Sequence, residues 1–260
     1  MTARLLLGLA AAGVLLFLLA PILAILPLSL SAGEILRLPP EGWSLRWYAA
    51  LLSSERWLLA ARNSLVVAGA TTLLAGVLGT LAALGLHFGR LPGRGAILAL
   101  LAAPVVTPSI VTAAALFLAY SAAGLAGTLL GLVLAHTVIS VPFVVLAVLA
   151  SLRGFDPALL RAAESLGAPP AAAFRRVVLP LIAPGVAAGA VFAFATSFDE
   201  FILTLFLAGP GQFTLPRQIY AAVRDVWDPT VCAAAVLLFL ASMLLLLASE
   251  ALRRRGGGIG

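Results

Sequence analysis

The chain has 260 residues, of which 63% are hydrophobic and 10% are charged, and its mean hydropathy is +1.15. Soluble domains are roughly 45 to 50% apolar, so this composition excludes an ordinary soluble domain and indicates helices that cross a membrane. All 16 basic residues are arginine, which excludes a P-loop nucleotide site, because that motif needs a lysine. The net charge of +6 does not indicate nucleic-acid binding, because the arginines lie at the ends of apolar segments.

Six apolar segments are long enough to span a bilayer, which takes about 20 mostly apolar residues. They cover residues 5–30, 64–86, 96–120, 124–149, 184–208 and 231–252. The sequence therefore predicts an all-α membrane protein with six transmembrane helices. We expect an N-terminal helix with an outer segment (1–62), a transmembrane core (63–252) and a tail (253–260). The first segment is longer than the apolar part of a signal peptide, so we expect a retained anchor.

The distribution of arginine predicts which side of the membrane holds the two termini. Ten arginines fall in the termini and in the second and fourth connections, whereas the opposite side has six arginines together with five acidic residues. Cytoplasmic segments carry an excess of basic residues. We therefore expect both termini in the cytoplasm. On the outer side, residues 31–63 carry Trp43, Trp47, Tyr48 and Trp57, a composition typical of a helix that lies at the membrane interface.

A helical hairpin is predicted on the cytoplasmic side, over residues 153–182, between the fourth and fifth apolar segments. Asp156 suits an N-cap, Pro157 the first helical position and Gly167 the left-handed position after the last turn. Arg161 and Glu164, one turn apart, can pair on its exposed face. Such a hairpin either docks another protein or lies on the lipid headgroups, where arginine would meet anionic lipid.

The second arm of the hairpin carries the last elements of the pattern. We expect a helix that begins near Pro169 and Pro170, carries Phe174, and stops around Leu179 before Pro180. The hairpin as a whole reads Arg161-Ala-Ala-Glu-Ser-Leu-Gly167, then nine residues, then Val177-Val-Leu-Pro180.

This pattern resembles the EAA loop of the permease subunits of type I ABC importers, and its spacing matches throughout. The resemblance implies that the hairpin is the coupling helix, which fits a cleft in a cytoplasmic ATPase subunit. It assigns coupling roles to Asp156, Arg161, Ala162, Ala163, Glu164, Gly167, Phe174, Leu179 and Pro180. One departure is that Arg161 stands where the family has a glutamate, which reverses a charge at the presumed contact.

Three further segments resemble the spermidine/putrescine branch of this family: Gly154-Phe-Asp-Pro157, Leu179-Pro-Leu-Ile-Ala-Pro-Gly185 and Ser197-Phe-Asp-Glu-Phe201. The resemblance implies a non-catalytic inner-membrane subunit that forms half of a pathway for a polyamine. Its implied partners are a second similar permease, two ATPase subunits that hold ATP and Mg²⁺, and an extracytoplasmic solute-binding protein. No cofactor or metal is expected on this chain itself.

Other functions stay open on the residues alone. The solute could be an amino acid or another small organic molecule. The chain could also be a self-sufficient proton-coupled transporter with a relay of Asp199, Glu200 and His136. An intramembrane enzyme is disfavoured, because the chain has neither an HExxH nor a GxSxG motif.

Polar residues inside the apolar segments are the candidates for the solute pathway. Asp199 and Glu200 are predicted near the middle of the fifth helix, where an ionisable group costs about 2.5 to 3.5 kcal/mol unless it meets water or a partner. Adjacent helical residues point about 100° apart, so both cannot face one pathway, and either can instead bind neighbouring helices. The other candidates are Ser197, Thr107, Ser109 and His136.

His136 can be a ligand, but we expect a histidine that is hydrogen-bonded between helices. Pro104 and Pro108 are predicted to break the third helix near Thr107 and Ser109. Some polyamine-type relatives carry an acidic residue where Ser109 stands.

Overall fold

The computed structural model describes residues 2–225 and 229–256, and this part of the chain is helical, with only an isolated bridge between Ser31 and Trp43. The all-α fold class is confirmed. The helices, in chain order, are α1 (Thr2–Ser29), α2 (Arg46–Ser53), α3 (Glu55–Phe88), α4 (Arg94–Val106), α5 (Ser109–Ala122), α6 (Leu129–Leu152), α7 (Pro157–Ser165), α8 (Pro170–Ala173), α9 (Leu179–Phe198), α10 (Ile202–Leu207), α11 (Leu215–Asp225) and α12 (Thr230–Gly256).

Four of the six predicted apolar segments lie mainly on one helix each, and the other two are each divided between two helices. The number of spans in the described residues is four or five. α1, α3, α6 and the continuous helix Pro170–Phe198 are long and apolar enough to cross a membrane. α4 and α5 make a fifth span if a bent pair is counted as one. The apolar part of α12 that the structure describes, Thr230–Leu244, is too short to count as a span. The count of six is therefore not confirmed.

The third and fifth predicted helices are each interrupted. α4 and α5 meet at an angle of 104°. Thr107 is extended there, with φ −74° and ψ 134°, as expected for a residue that precedes proline, here Pro108. α9 ends at Phe198 and α10 begins at Ile202. Asp199 and Glu200 thus lie in a break between helices, and the prediction that they lie within one continuous helix is wrong.

α3 begins at Glu55, within the segment predicted to lie on the outer side. Its first turns bury Trp57 and Ala60, and Trp57 packs with Leu51 of α2 and Ala233 of α12. α2 lies in the segment for which an interfacial helix is predicted, and its Trp47 donates a hydrogen bond to the carbonyl of Ser31 at 2.8 Å. These contacts bind the outer segment to the transmembrane helices.

Close packing of α6 against α3 and α9 forms the centre of the molecule. α6 is 67% buried within its span, compared with 28% for α3 and for Pro170–Phe198. Glycines permit the close approach. A β-carbon added at Gly79 would lie 2.6 Å from the Cβ atom of Val144, and a β-carbon added at Gly189 would lie 2.9 Å from the Cα atom of Val144. Small residues allow helices to pack closely in membranes, where lipid supplies no hydrophobic drive between them.

We predict that Gly189→Ala destabilises the protein, because the added methyl group meets the backbone of α6. Overpacking of this kind costs about 1 to 3 kcal/mol. Thermal unfolding of the purified protein in detergent measures the change. Gly69→Ala is the matched control, since Gly69 has no heavy atom within 4 Å of the added carbon. Equal melting temperatures for the two variants would contradict the central role of this contact.

Candidate coupling hairpin and pathway site

The first arm of the hairpin has both of its predicted caps. The Asp156 carboxylate accepts a hydrogen bond from the backbone N–H of Ala158 at 2.8 Å, and α7 begins at Pro157. Gly167 adopts a φ of +80°. Its N–H donates to the carbonyl of Glu164 at 2.9 Å, and the N–H of Ala168 donates to that of Ala163 at 3.1 Å. This pair of bonds is a Schellman motif, so local sequence determines both ends of α7.

The start of the hairpin packs against the C-terminal end of α3 through apolar side chains. Phe155 is buried and lies edge-on to Phe88, with ring centroids 5.7 Å apart, and Leu160 packs against the same apolar cluster. The opposite face of α7 is exposed, and Leu166 beyond its end is 88% exposed. Arg161 and Glu164 are exposed and form no ion pair within the described residues. The hairpin therefore presents an uncovered surface with both charges available.

The second arm differs from the prediction because it does not stop near Leu179. α8 continues through a π-helical turn, Phe174–Val178, directly into α9. In that turn the N–H of Leu179 donates to the carbonyl of Phe174, five residues earlier. Proline disrupts the bonding of a regular helix interior, and the wider turn lets the chain reach Pro180 and continue. Phe174 and Leu179 are 37% and 40% exposed.

At the break between α9 and α10, the two acidic side chains have different surroundings. Glu200 is half-buried, and its Oε1 atom accepts a hydrogen bond from the N–H of Leu203 at 2.8 Å. Its carboxylate therefore caps α10, as acidic groups do at helix N-termini. Asp199 is exposed, and within the described residues its side chain has no hydrogen bond or ion pair. Asp199 thus keeps an unpaired carboxylate.

His136 of α6 lies next to this break and is fully buried. Its Nδ1 atom is 2.8 Å from Oγ of Ser197 on α9, and its Nε2 atom is 3.3 Å from Oγ1 of Thr204 on α10. Both partners are also buried. The arrangement agrees with the expectation of a histidine that is hydrogen-bonded between helices. Thr204 was not predicted, although its signal is a single hydroxyl within the apolar run Ile202–Leu207.

Thr107 and Ser109 lie at the other break. The Thr107 hydroxyl donates to the carbonyl of Ala103 at 2.9 Å, and Ser109 is exposed at the start of α5. α5 packs against α10, so the broken spans are neighbours. Within the described residues, no hydrogen bond joins Thr107 or Ser109 to Asp199 or Glu200. Their role in a pathway stays a prediction.

A polar anchor between α3 and the segment after α10 was also missed. The amide nitrogen of Asn63 donates to the carbonyls of Gly211 and Phe213 at 3.0 and 3.1 Å. The Ser64 hydroxyl accepts from the N–H of Leu215 at 2.7 Å. Together they tie the segment after α10 to α3. The available signal was a pair of hydrogen-bonding residues at the edge of an apolar run.

Comparison with known proteins places this geometry in a family. Residues 75–256 match the profile of the binding-protein-dependent transport system inner membrane component. The chain is 34% identical over 195 residues to the spermidine/putrescine transport system permease protein PotC of Escherichia coli, covering 75% of this chain and 74% of PotC. It is 33% identical over 226 residues to the putrescine transport system permease protein PotI of the same species, covering 84% and 80%.

The fold agrees with that of solved transporters. A bacterial alginate ABC transporter, crystallised with an alginate pentasaccharide-bound periplasmic protein, matches with a TM-score of 0.73 and 18% identity, covering 99% of this chain and 96% of that chain. The family profile and the curated relatives define a multi-pass membrane subunit of an ABC transporter. The chain belongs to the family of binding-protein-dependent transport system inner membrane components, the permease subunits of type I ABC importers.

We predict that Asp156→Ala destabilises the first turn of α7, because this turn loses the carboxylate that accepts a hydrogen bond from the N–H of Ala158. Loss of an N-cap costs about 1 kcal/mol, which corresponds to about fivefold faster amide exchange if exchange follows local opening. Hydrogen–deuterium exchange of the α7 amides measures the effect. Asp156→Asn is the control, since asparagine caps about as well. Equal exchange in the alanine and asparagine variants would contradict the capping role.

Proposed function

We propose that this chain forms half of the translocation pathway of a polyamine importer and that Asp199 is the group that meets the cationic solute. The observation that carries the proposal is the unpaired carboxylate at the break between α9 and α10. A charged amine that leaves water needs a compensating group of opposite sign. The carboxylate of Glu200 is already used to cap α10, so Asp199 is the better candidate.

The names of the relatives support the same solute class. PotC and PotI belong to transport systems for spermidine and putrescine, whose amines carry positive charge at neutral pH. The full burial of His136 argues against a proton relay that would include it. We therefore favour an importer for cationic amines over a self-sufficient proton-coupled transporter.

In this proposal the chain is one of several subunits. A second, similar permease supplies the other half of the pathway, and a solute-binding protein delivers the amine from outside. Two cytoplasmic ATPase subunits hold ATP and Mg²⁺, and this chain binds neither. Both termini and the hairpin face the cytoplasm. Closure of the ATPases moves α7, and the rigid connection from α8 into α9 carries that movement to the break that holds Asp199.

We predict that Asp199→Asn lowers the uptake of spermidine and putrescine by about tenfold or more. Tenfold corresponds to about 1.4 kcal/mol, a modest share of what a charge inside a membrane costs. Radiolabelled uptake by the reconstituted complex measures the change. Glu55→Gln removes the same charge from an exposed site at the start of α3 and should leave uptake unchanged.

Two results would contradict this assignment. Unchanged amine uptake by Asp199→Asn would show that its carboxylate does not compensate the solute charge. Uptake of a neutral amino acid, with no uptake of either amine by the unmodified complex, would show that the solute class is wrong. The complex would still be an importer in that case.

We predict separately that Leu166→Asp weakens the attachment of the ATPase subunits. Leu166 is 88% exposed beside the proposed coupling helix, so the change leaves the fold intact but puts a charge into an apolar contact. Co-purification of the ATPase with the permease measures attachment. Leu91→Asp is the control, because Leu91 is 44% exposed in the connection between α3 and α4. Equal loss in both variants would argue against α7 as the docking site.

A further inference from the structure

A single buried imidazole joins the two sides of the break between α9 and α10. His136 contacts Ser197 in the last turn of α9 and Thr204 in the middle of α10, at 2.8 and 3.3 Å. Asp199 and Glu200 lie between these two contacts. The exposed fractions are 0% for His136 and Thr204 and 3% for Ser197. The imidazole is therefore sealed from solvent and cannot itself touch a solute.

A connected series of polar contacts runs through the imidazole. Oγ1 of Thr204 lies 3.3 Å from Nε2 of His136 and 3.4 Å from the carbonyl of Glu200. Oγ of Ser197 lies 2.8 Å from Nδ1. The contacts therefore extend from Ser197 through His136 and Thr204 to the backbone of Glu200.

In the part of the chain that the structure describes, no backbone hydrogen bond joins α9 directly to α10. Within the described residues, Glu200 N–H reaches the carbonyl of Ser197 only at 3.4 Å, which is long for a hydrogen bond. α6, in contrast, is the most buried of the spans, and Val144 two turns along it is packed against Gly79 and Gly189. A group fixed to α6 is therefore fixed relative to the core.

We propose that His136 is a positioning residue: it holds both sides of the α9–α10 break against α6 and thereby sets where the Asp199 carboxylate points. This inference rests on the proposed function, since Asp199 is the group whose position matters. Ser197 and Thr204 have the same role, because they bind the two nitrogen atoms of the imidazole. All three act through Asp199 and make no contact with the solute.

The test uses the complete transporter in proteoliposomes, with its binding protein and radiolabelled spermidine, and measures spermidine moved per ATP hydrolysed. A purely structural defect reduces the number of working complexes, so uptake and hydrolysis fall together and this ratio stays constant. A misplaced Asp199 lowers the ratio. The readout therefore separates positioning from folding.

Thr204→Val keeps the shape of the side chain and removes the hydroxyl. It should lower the ratio about two- to tenfold, the range that one hydrogen bond supports. His136→Leu should lower it at least as much. Thr204→Ser restores the hydroxyl and should give the original ratio. Thr137→Val is the matched control: the Thr137 hydroxyl is buried beside His136 but bonds only within α6, to the carbonyl of Val133.

The variants of Asp199 separate failure of this inference from failure of the proposed function. If Asp199→Asn leaves the ratio unchanged, the proposed role of Asp199 is wrong. If Asp199→Asn lowers the ratio but Thr204→Val and His136→Leu do not, only the positioning role is wrong. Adding Thr204→Val to Asp199→Asn should cause no further loss, and a multiplied loss would overturn the inference, because His136 would then not act through Asp199.

Discussion

A helix that is interrupted inside a membrane leaves backbone N–H and C=O groups without water to bind, and both broken spans of this protein are organised by that constraint. At the break after α9, the carboxylate of Glu200 takes the N–H of Leu203, and the hydroxyl of Thr204 reaches the carbonyl of Glu200. At the break before α5, Pro108 has no N–H to satisfy. Glu200 and Thr204 at the first break and Thr107 at the second thus make their side-chain hydrogen bonds to the backbone. The Asp199 side chain makes no such bond within the described residues, so its carboxylate remains available for another partner.

The second organising feature is the tight seam between α6 and its neighbours. Gly79 and Gly189 let Val144 approach α3 and α9 at once, and Gly185 faces the Ser151 side chain and the Ala147 carbonyl of α6. Packing at this distance leaves no room for α6 to shift alone. A hydrogen bond made to α6 is therefore made to the rigid part of the molecule. This is why His136 can hold a break on another helix in position.

The candidate coupling hairpin is held by a different set of interactions, because α7 lies outside the apolar spans. Its first helix is delimited by local chemistry, with a carboxylate cap at Asp156 and a left-handed glycine at Gly167. Phe155 and Leu160 fasten it to the core. The second arm passes into α9 without interruption. α7 itself is a separate helix, which contacts α8 and the π-helical turn that lead into α9.

The sequence by itself determined the fold class, the positions of the apolar segments, both caps of α7 and the family, because each depends on residues close together in the chain. Hydropathy reports burial in lipid and caps depend on neighbouring backbone groups. The Glu200 cap of α10 spans only three residues, but the helix break that creates it was not predicted. Only the tertiary structure decided that His136 bridges Ser197 and Thr204. Those contacts join residues up to 68 positions apart, and no local pattern in the sequence encodes which helix faces which. The continuation of α8 into α9 was also not predicted from the sequence, because proline normally ends a helix. Here a π-helical turn lets the helix continue past Pro180.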